Sequence, residues 1–106
     1  MKILFICNQN RNRSVTAERI FKDRFETKSA GLFNEKPVTE KQLQWADLIV
    51  VMEDAQREEL SKRFPKIYVQ KQILNLDVLD NYFYMQPELI KVLELKLERI
   101  VKPLIQ

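Results

Sequence analysis

Cys7 and Arg13 stand six positions apart, and Ser14 follows the arginine directly. A cysteine thiolate is a strong nucleophile. An arginine presents a rigid fork of donors that matches two phosphoryl oxygens. A serine hydroxyl beside them can donate a hydrogen bond to the sulfur. The residues between, Asn8-Gln9-Asn10-Arg11-Asn12, are all polar. The spacing alone is weak, because a lone cysteine after an apolar run is commonly a small buried hydrophobe. An arginine six positions on is also unremarkable in a chain with 18 basic residues. The context strengthens the signal, since a core cysteine is not normally followed by an unbroken polar stretch.

Two elements must hold this loop. Ile3-Leu4-Phe5-Ile6 reads as a short buried strand. From Ser14 the pattern turns helical, with Val15, Ala17, Ile20, Phe21 and Phe25 predicting a helix over 14–25. Cys7 then ends a strand and Arg13 opens a helix. Such a helix start attracts anions, because its N–H groups are unpaired and its dipole favours negative charge. A loop that wraps an oxyanion must turn successive N–H groups inward, which needs left-handed or bridge conformations, usually from glycine. Gly31 is the only glycine in the chain. Asn8, Asn10 and Asn12 are the non-glycine type best suited to that role. There is no histidine. Loop dipoles and Arg13 must therefore favour the thiolate, and any general acid is an Asp, Glu, Lys, Tyr or Cys.

The rest of the chain alternates strand and helix. Residues 26–29 read as an edge strand and 32–38 as a loop. Thr39 followed by Gln42 is a capping-box pattern that opens a helix through Trp45. Asp47 to Met52 is a second apolar strand. Asp54 is suited to cap a charged helix that reaches Phe64, is closed by Pro65 and shows a solvated face. Ile67-Tyr68-Val69 reads as a third core strand, and 70–85 as loop. Gln86-Pro87 starts a last helix with Leu89, Ile90, Leu93, Leu97, Ile100 and Val101 on one face. Glu53 and Trp45 read as structural. Apolar strands without alternation imply burial on both faces, hence an α/β three-layer sandwich of about four parallel strands flanked by helices. The chain, residues 1–106, reads as a single domain. Ligands bind such sheets beyond the strand carboxyl ends at a switch point. Cys7, Glu53 and the residues after Val69 are expected there.

The net charge is +3, from 18 basic and 15 acidic residues. This excess helps attract a phosphate-bearing ligand, but its even spread argues against nucleic acid as the partner. No apolar run approaches the roughly 20 residues that span a membrane. The N-terminal apolar stretch is shorter than a secretory core of about 7–15 residues. These features read as a cytoplasmic protein with no membrane partner. A single cysteine excludes an internal disulfide framework and most zinc sites. No metal and no cofactor are expected.

Cys7 to Ser14 resembles the signature loop of the low-molecular-weight protein tyrosine phosphatases, Cys-x5-Arg-Ser after an N-terminal strand. The similarity continues in order through Thr16-Ala17-Glu18, Ser29-Ala30-Gly31, Lys36-Pro37-Val38-Thr39 and Ala46 to Glu53. Asp80-Asn81-Tyr82-Phe83 is similar to the family's acid loop. The chain looks closest to a compact bacterial branch. The resemblance implies a phosphotyrosine phosphatase I-like fold and a phosphomonoester hydrolase acting on a phosphorylated protein or a small aryl phosphate. It implies that Cys7 attacks phosphorus, that Arg13 binds the phosphoryl oxygens, and that the amides of Asn8, Gln9, Asn10, Arg11, Asn12 and Arg13 complete the cradle. Asn10 would hold the loop shape through Ser29, and Ser14 would stabilise the leaving thiolate. Asp80 would protonate the leaving oxygen and then activate water. Tyr82 and Phe83 would wall the substrate.

Several residues depart from the pattern. Gln9 replaces a glycine, and Asn81 replaces the proline of an Asp-Pro pair, which leaves Asp77 as a rival acid. Arg11 adds a second cation that either binds a further phosphate or points to solvent. The chain is also shortened between Phe33 and Lys36 and after Phe64. Three other functions fit parts of the pattern. Arsenate reduction would need an external thiol, because no further cysteine is present. A phosphate- or phosphoprotein-binding module would show weak or no turnover. A sugar-transport phosphocarrier has no need of Arg13.

Overall fold

The two central strands of the sheet are made from strongly apolar stretches, and its two edges are not. In the computed structural model, which describes residues 1–105, four strands pair in the order β2-β1-β3-β4. They are β1 (Lys2–Cys7), β2 (Glu26–Gly31), β3 (Leu48–Val51) and β4 (Gln72–Asn75). Every neighbouring pair is parallel. The helices are α1 (Arg13–Phe21), α2 (Glu40–Trp45), α3 (Asp54–Arg63), α4 (Pro65–Gln70) and α5 (Pro87–Ile105). This is the three-layer α/β sandwich that the unalternating strands imply.

Side-chain alternation divides the core into two layers. Ile3, Phe5 and Cys7 of β1 pack with Leu48 and Val50 beneath α1 and α5. Leu4 and Ile6 pack with Ile49 and Val51 against α2, α3 and α4. Both faces of β1 and β3 are thus dry, which is why neither strand alternates in sequence. Burying each such side chain contributes about 1.5–3 kcal/mol. Leu89, Leu93, Leu97 and Val101 form the buried stripe of α5, while Leu95 on the opposite side is exposed.

Three expected elements differ. Ile67-Tyr68-Val69 is not a strand: it lies in α4, which starts with Pro65 at its first position. Only Ile67 is buried there, whereas Val69 is 79% exposed, which a core strand would not permit. Proline suits a helix start as well as it stops one, so the residue expected to end a helix opens the next. The fourth strand is Gln72–Asn75, inside the stretch expected to be loop. It is an edge strand with Gln72 exposed and Ile73 to Asn75 half-buried, and its hydrophobic signal is correspondingly thin. Helix α1 stops at Phe21, where Arg24 and Phe25 turn back to donate to its carbonyl. Phe25 still packs on the core, which explains its helical spacing. The Thr39–Gln42 capping box is present as expected. Among the described residues, no helix is long and apolar enough to cross a membrane.

Chain order creates the site. From β1 the chain moves to β2 on one side and later to β3 on the other. The carboxyl ends of β1 and β3 therefore form a switch point. Cys7 is the last residue of β1 and pairs with Gly31. A Cβ on Gly31 would clash with Asn34 Oδ1 and meet the Asn8 carbonyl oxygen at 3.1 Å. The glycine thus lets the segment after Cys7 lie close against the end of β2.

Candidate active site

Residues 8–12 bridge the buried Cys7 and the first residue of α1, the buried Arg13. Of the three asparagines, only Asn10 takes a left-handed conformation, at φ 54°. Its Oδ1 accepts a 2.7 Å bond from the Ser14 hydroxyl, which lies 2.9 Å from Cys7 Sγ. Ser14 has one proton to give. With that proton on Asn10, the thiol of Cys7 donates to Ser14. A thiolate reverses the chain: Ser14 then donates to sulfur, and Asn10 presents its NH2 to the serine. The expected link from Asn10 to Ser29 is not made, because Ser29 donates to Glu18 instead. Among the described residues, the backbone N–H groups of Gln9 to Ser14 have no protein acceptor. They remain available to an anion.

The loop is anchored from three sides. The Asn8 carbonyl accepts from the amides of Leu32 and Phe33. The Asn8 side chain accepts a 3.0 Å bond from Gln56 Nε2. Gln56 Oε1 in turn accepts from the amides of Met52 and Glu53 at the end of β3. Gln56 is buried, as is Leu60, so α3 is not simply the solvated face its charges suggest. Glu53 stands at the cap position of α3, with Asp54 the first helical residue.

Arg13 is 1% exposed. Its Nη1 donates to Glu53 Oε2 and to the Val78 carbonyl, both at 2.7 Å. Its buried Nε has no hydrogen-bond partner. Asp80 Oδ1 is 3.6 Å from it, beyond hydrogen-bond length. A buried unpaired donor costs about 1–3 kcal/mol. One side of the guanidinium is thus fixed while the other waits for an acceptor.

The segment after β4 brings the acid. Leu76 and Val78 are buried, and their amides donate to the carbonyls of Val51 and Met52. Beyond them Leu79 and Asp80 are exposed, Asp80 with 56% of its side chain. The segment closes where the Met85 amide donates to Thr16 Oγ1 of α1. Asp77 and Met85 near its ends both have positive φ, 56° and 60°. Cys7, Gln9, Arg11, Asn12, Arg13 and Asp80 together line a cavity of about 200 Å³. Asp77 does not line it. Neither do Tyr82 and Phe83, the expected substrate wall. Tyr82 packs against the α1/α5 core, and Phe83 is 80% exposed. Among the described residues, no cluster of three metal-ligating side chains occurs.

The structure therefore gathers Cys7, Arg13 and Asp80 from two loops far apart in sequence. Sequence reasoning missed two contributors, Glu53 as the partner of Arg13 and Gln56 as the anchor of Asn8. Their three-residue spacing at a strand's carboxyl end, beside the switch point, was the available signal. The Val78 carbonyl carries none, since every residue has one.

No protein-family model and no curated protein matches the chain. Solved structures do. The YwlE mutant from Bacillus subtilis is 22% identical, with TM-score 0.81, covering 100% of this chain and 99% of that one. The YwlE arginine phosphatase from Geobacillus stearothermophilus is 19% identical, with TM-score 0.78, covering 97% and 92%. A low-molecular-weight protein tyrosine phosphatase from T. tengcongensis is 22% identical, with TM-score 0.78, covering 97% and 99%. The chain has the fold of these phosphatases from end to end.

Proposed function

We propose that the protein is a phosphomonoester hydrolase that works through a Cys7-phosphate intermediate, in the manner of the low-molecular-weight phosphatases whose fold it shares. One observation carries this reading. Cys7, Arg13 with its unpaired Nε, and Asp80 border a single cavity, in a loop whose amides from Gln9 to Ser14 are free. In the first step Cys7 Sγ attacks phosphorus, the bond to the leaving oxygen breaks, and Asp80 supplies its proton. Loop amides and the open side of Arg13 bind the equatorial oxygens as charge develops on them. Glu53 and Val78 keep Arg13 from turning away. In the second step Asp80 takes a proton from water, and the water oxygen attacks phosphorus. The S–P bond breaks, and Ser14 donates to the departing thiolate. The products are the alcohol or phenol and inorganic phosphate.

The substrate we favour is an aryl phosphate, free or as phosphotyrosine in a protein. A phenol is a good leaving group for an acid as exposed as Asp80. A phosphorylated guanidinium is the second candidate, because the solved neighbours include arginine phosphatases. Arsenate reduction is disfavoured by the lone cysteine.

The test is p-nitrophenyl phosphate hydrolysis, with acid-quenched protein examined by mass spectrometry for a phosphoryl adduct at Cys7. Wild type should turn over and trap the adduct, and Cys7→Ser should release no phenol. Tight phosphate binding without turnover would overturn the enzyme reading in favour of a phosphate-binding module.

A further inference from the structure

The Arg11 side chain takes no part in the steps above. It is exposed, forms no ion pair among the described residues, and still lines the cavity with Cys7, Arg13 and Asp80. The other cation of the cavity is bound on one side by Glu53 and Val78 and faces the phosphoryl position on the other. Arg11 is therefore the cation free to meet whatever lies beside the phosphoryl group. An arginine at that range attracts a second anion and repels a cationic leaving group.

Resting on the hydrolase reading, the geometry points to Arg11 as a specificity-determining residue that selects phosphoesters bearing a second anionic group next to the phosphoryl. Two sources supply this chemistry: an acidic side chain flanking a phosphotyrosine, or a second phosphate. Arg11 also disfavours substrates whose leaving group is a guanidinium.

The experiment compares kcat/KM for three phosphotyrosine peptides with neutral, acidic and phosphoserine flanks, on wild type and Arg11→Gln. Wild type should prefer the acidic flank by about two- to fivefold, the range of one exposed ion pair, and the phosphoserine flank by more. The preference should fade as salt rises. In Arg11→Gln the three values should converge, whatever their common level. A wild-type preference that survives Arg11→Gln, or no preference at low salt, would overturn the assignment. An acidic-flank preference alone would identify a carboxylate as the second anion, and a phosphoserine preference alone a phosphate. Equilibrium binding to Cys7→Ser protein keeps the test independent of turnover. Pyrophosphate should bind more tightly than phosphate, by a margin that Arg11→Gln removes. Wild type that hydrolyses none of the peptides, with the pyrophosphate margin intact, would sink the hydrolase reading and keep Arg11. Normal hydrolysis without the margin would sink Arg11 alone.

Discussion

The loop at residues 8–12 and the segment at 76–86 meet at one cavity but are held in opposite ways. The first is pinned along its length: Asn8 by Gln56, Asn10 by Ser14, and the following Arg13 by Glu53 and Val78. The second is bonded at its ends, through Leu76 and Val78 on one side and Met85 on the other, and is held between them by Tyr82 packing on the core. Its middle, with Leu79, Asp80 and Phe83, stands exposed. The groups that must be in place before substrate arrives, nucleophile and phosphate clamp, are on the rigid loop. The proton donor, which needs alignment only against a bound leaving group, is on the looser one. Preorganisation is concentrated where charge develops.

The contrast predicts a graded set of effects. The two largest belong to the groups that meet the phosphoryl and the leaving oxygen. Arg13→Lys keeps the charge but loses the fork and the Nη1 bonds, so aryl phosphate turnover should fall ~10²–10³-fold, the worth of an oxyanion donor. Steady-state kinetics that show less than a tenfold loss would break the claim that Arg13 is the clamp. Asp80→Asn should lower turnover by about 10²–10⁴-fold, the usual contribution of a general acid. Because Asp80 is exposed, its urea midpoint should barely move. Asp77→Asn should leave turnover nearly intact, and the reverse ranking would move the acid to Asp77. Leu76→Ala tests the ends of the loose segment. It should cost about 2–4 kcal/mol in denaturant unfolding, as for other buried leucines.

Gln56→Ala sharpens the comparison from the other side. Removing the amide leaves the Met52 and Glu53 N–H groups and the Asn8 side chain without their partner, at a cost of about 1–3 kcal/mol. It should also slow turnover, although Gln56 lies outside the cavity. The smallest effect sits at the end of the loose segment. The amide at the start of α5 and the Gln86 side chain hold the Glu88 carboxyl below its ordinary pKa. Its contribution is present above the ordinary value and is lost as pH falls through the lowered one. Glu88 is exposed, so Glu88→Gln should alter only slightly the acid limb of a stability-against-pH curve.

The sequence was most informative where burial and chemistry coincide. β1 and β3 were legible because both faces are dry, and the loop between Cys7 and Arg13 because nothing in it is apolar. β4 was not, since an edge strand buries little and Gln72 to Asn75 look like loop. α4 was not, because Pro65 serves equally as a stop and a start. Tyr82 looked like a substrate wall because an aromatic beside an acid fits that role, while its packing partners lie on α1 and α5. Asp80 lines the cavity and Asp77 does not, a difference that spacing alone does not show. The two are close in sequence, yet a left-handed turn at Asp77 sends one to solvent and the other to the cavity.

The bond from the Met85 amide to Thr16 has a consequence for how the site tolerates motion. Arg13 and Ser14 form the first turn of α1, and Thr16 is two residues further along the same helix. Nucleophile support, phosphate clamp and the far end of the acid segment are therefore measured from one datum. When α1 rocks as a rigid rod, all three are carried with it, and their mutual distances change less than their distances to the sheet. The helix acts as a common ruler, so that a small error in its placement is shared by every mark instead of being magnified between them.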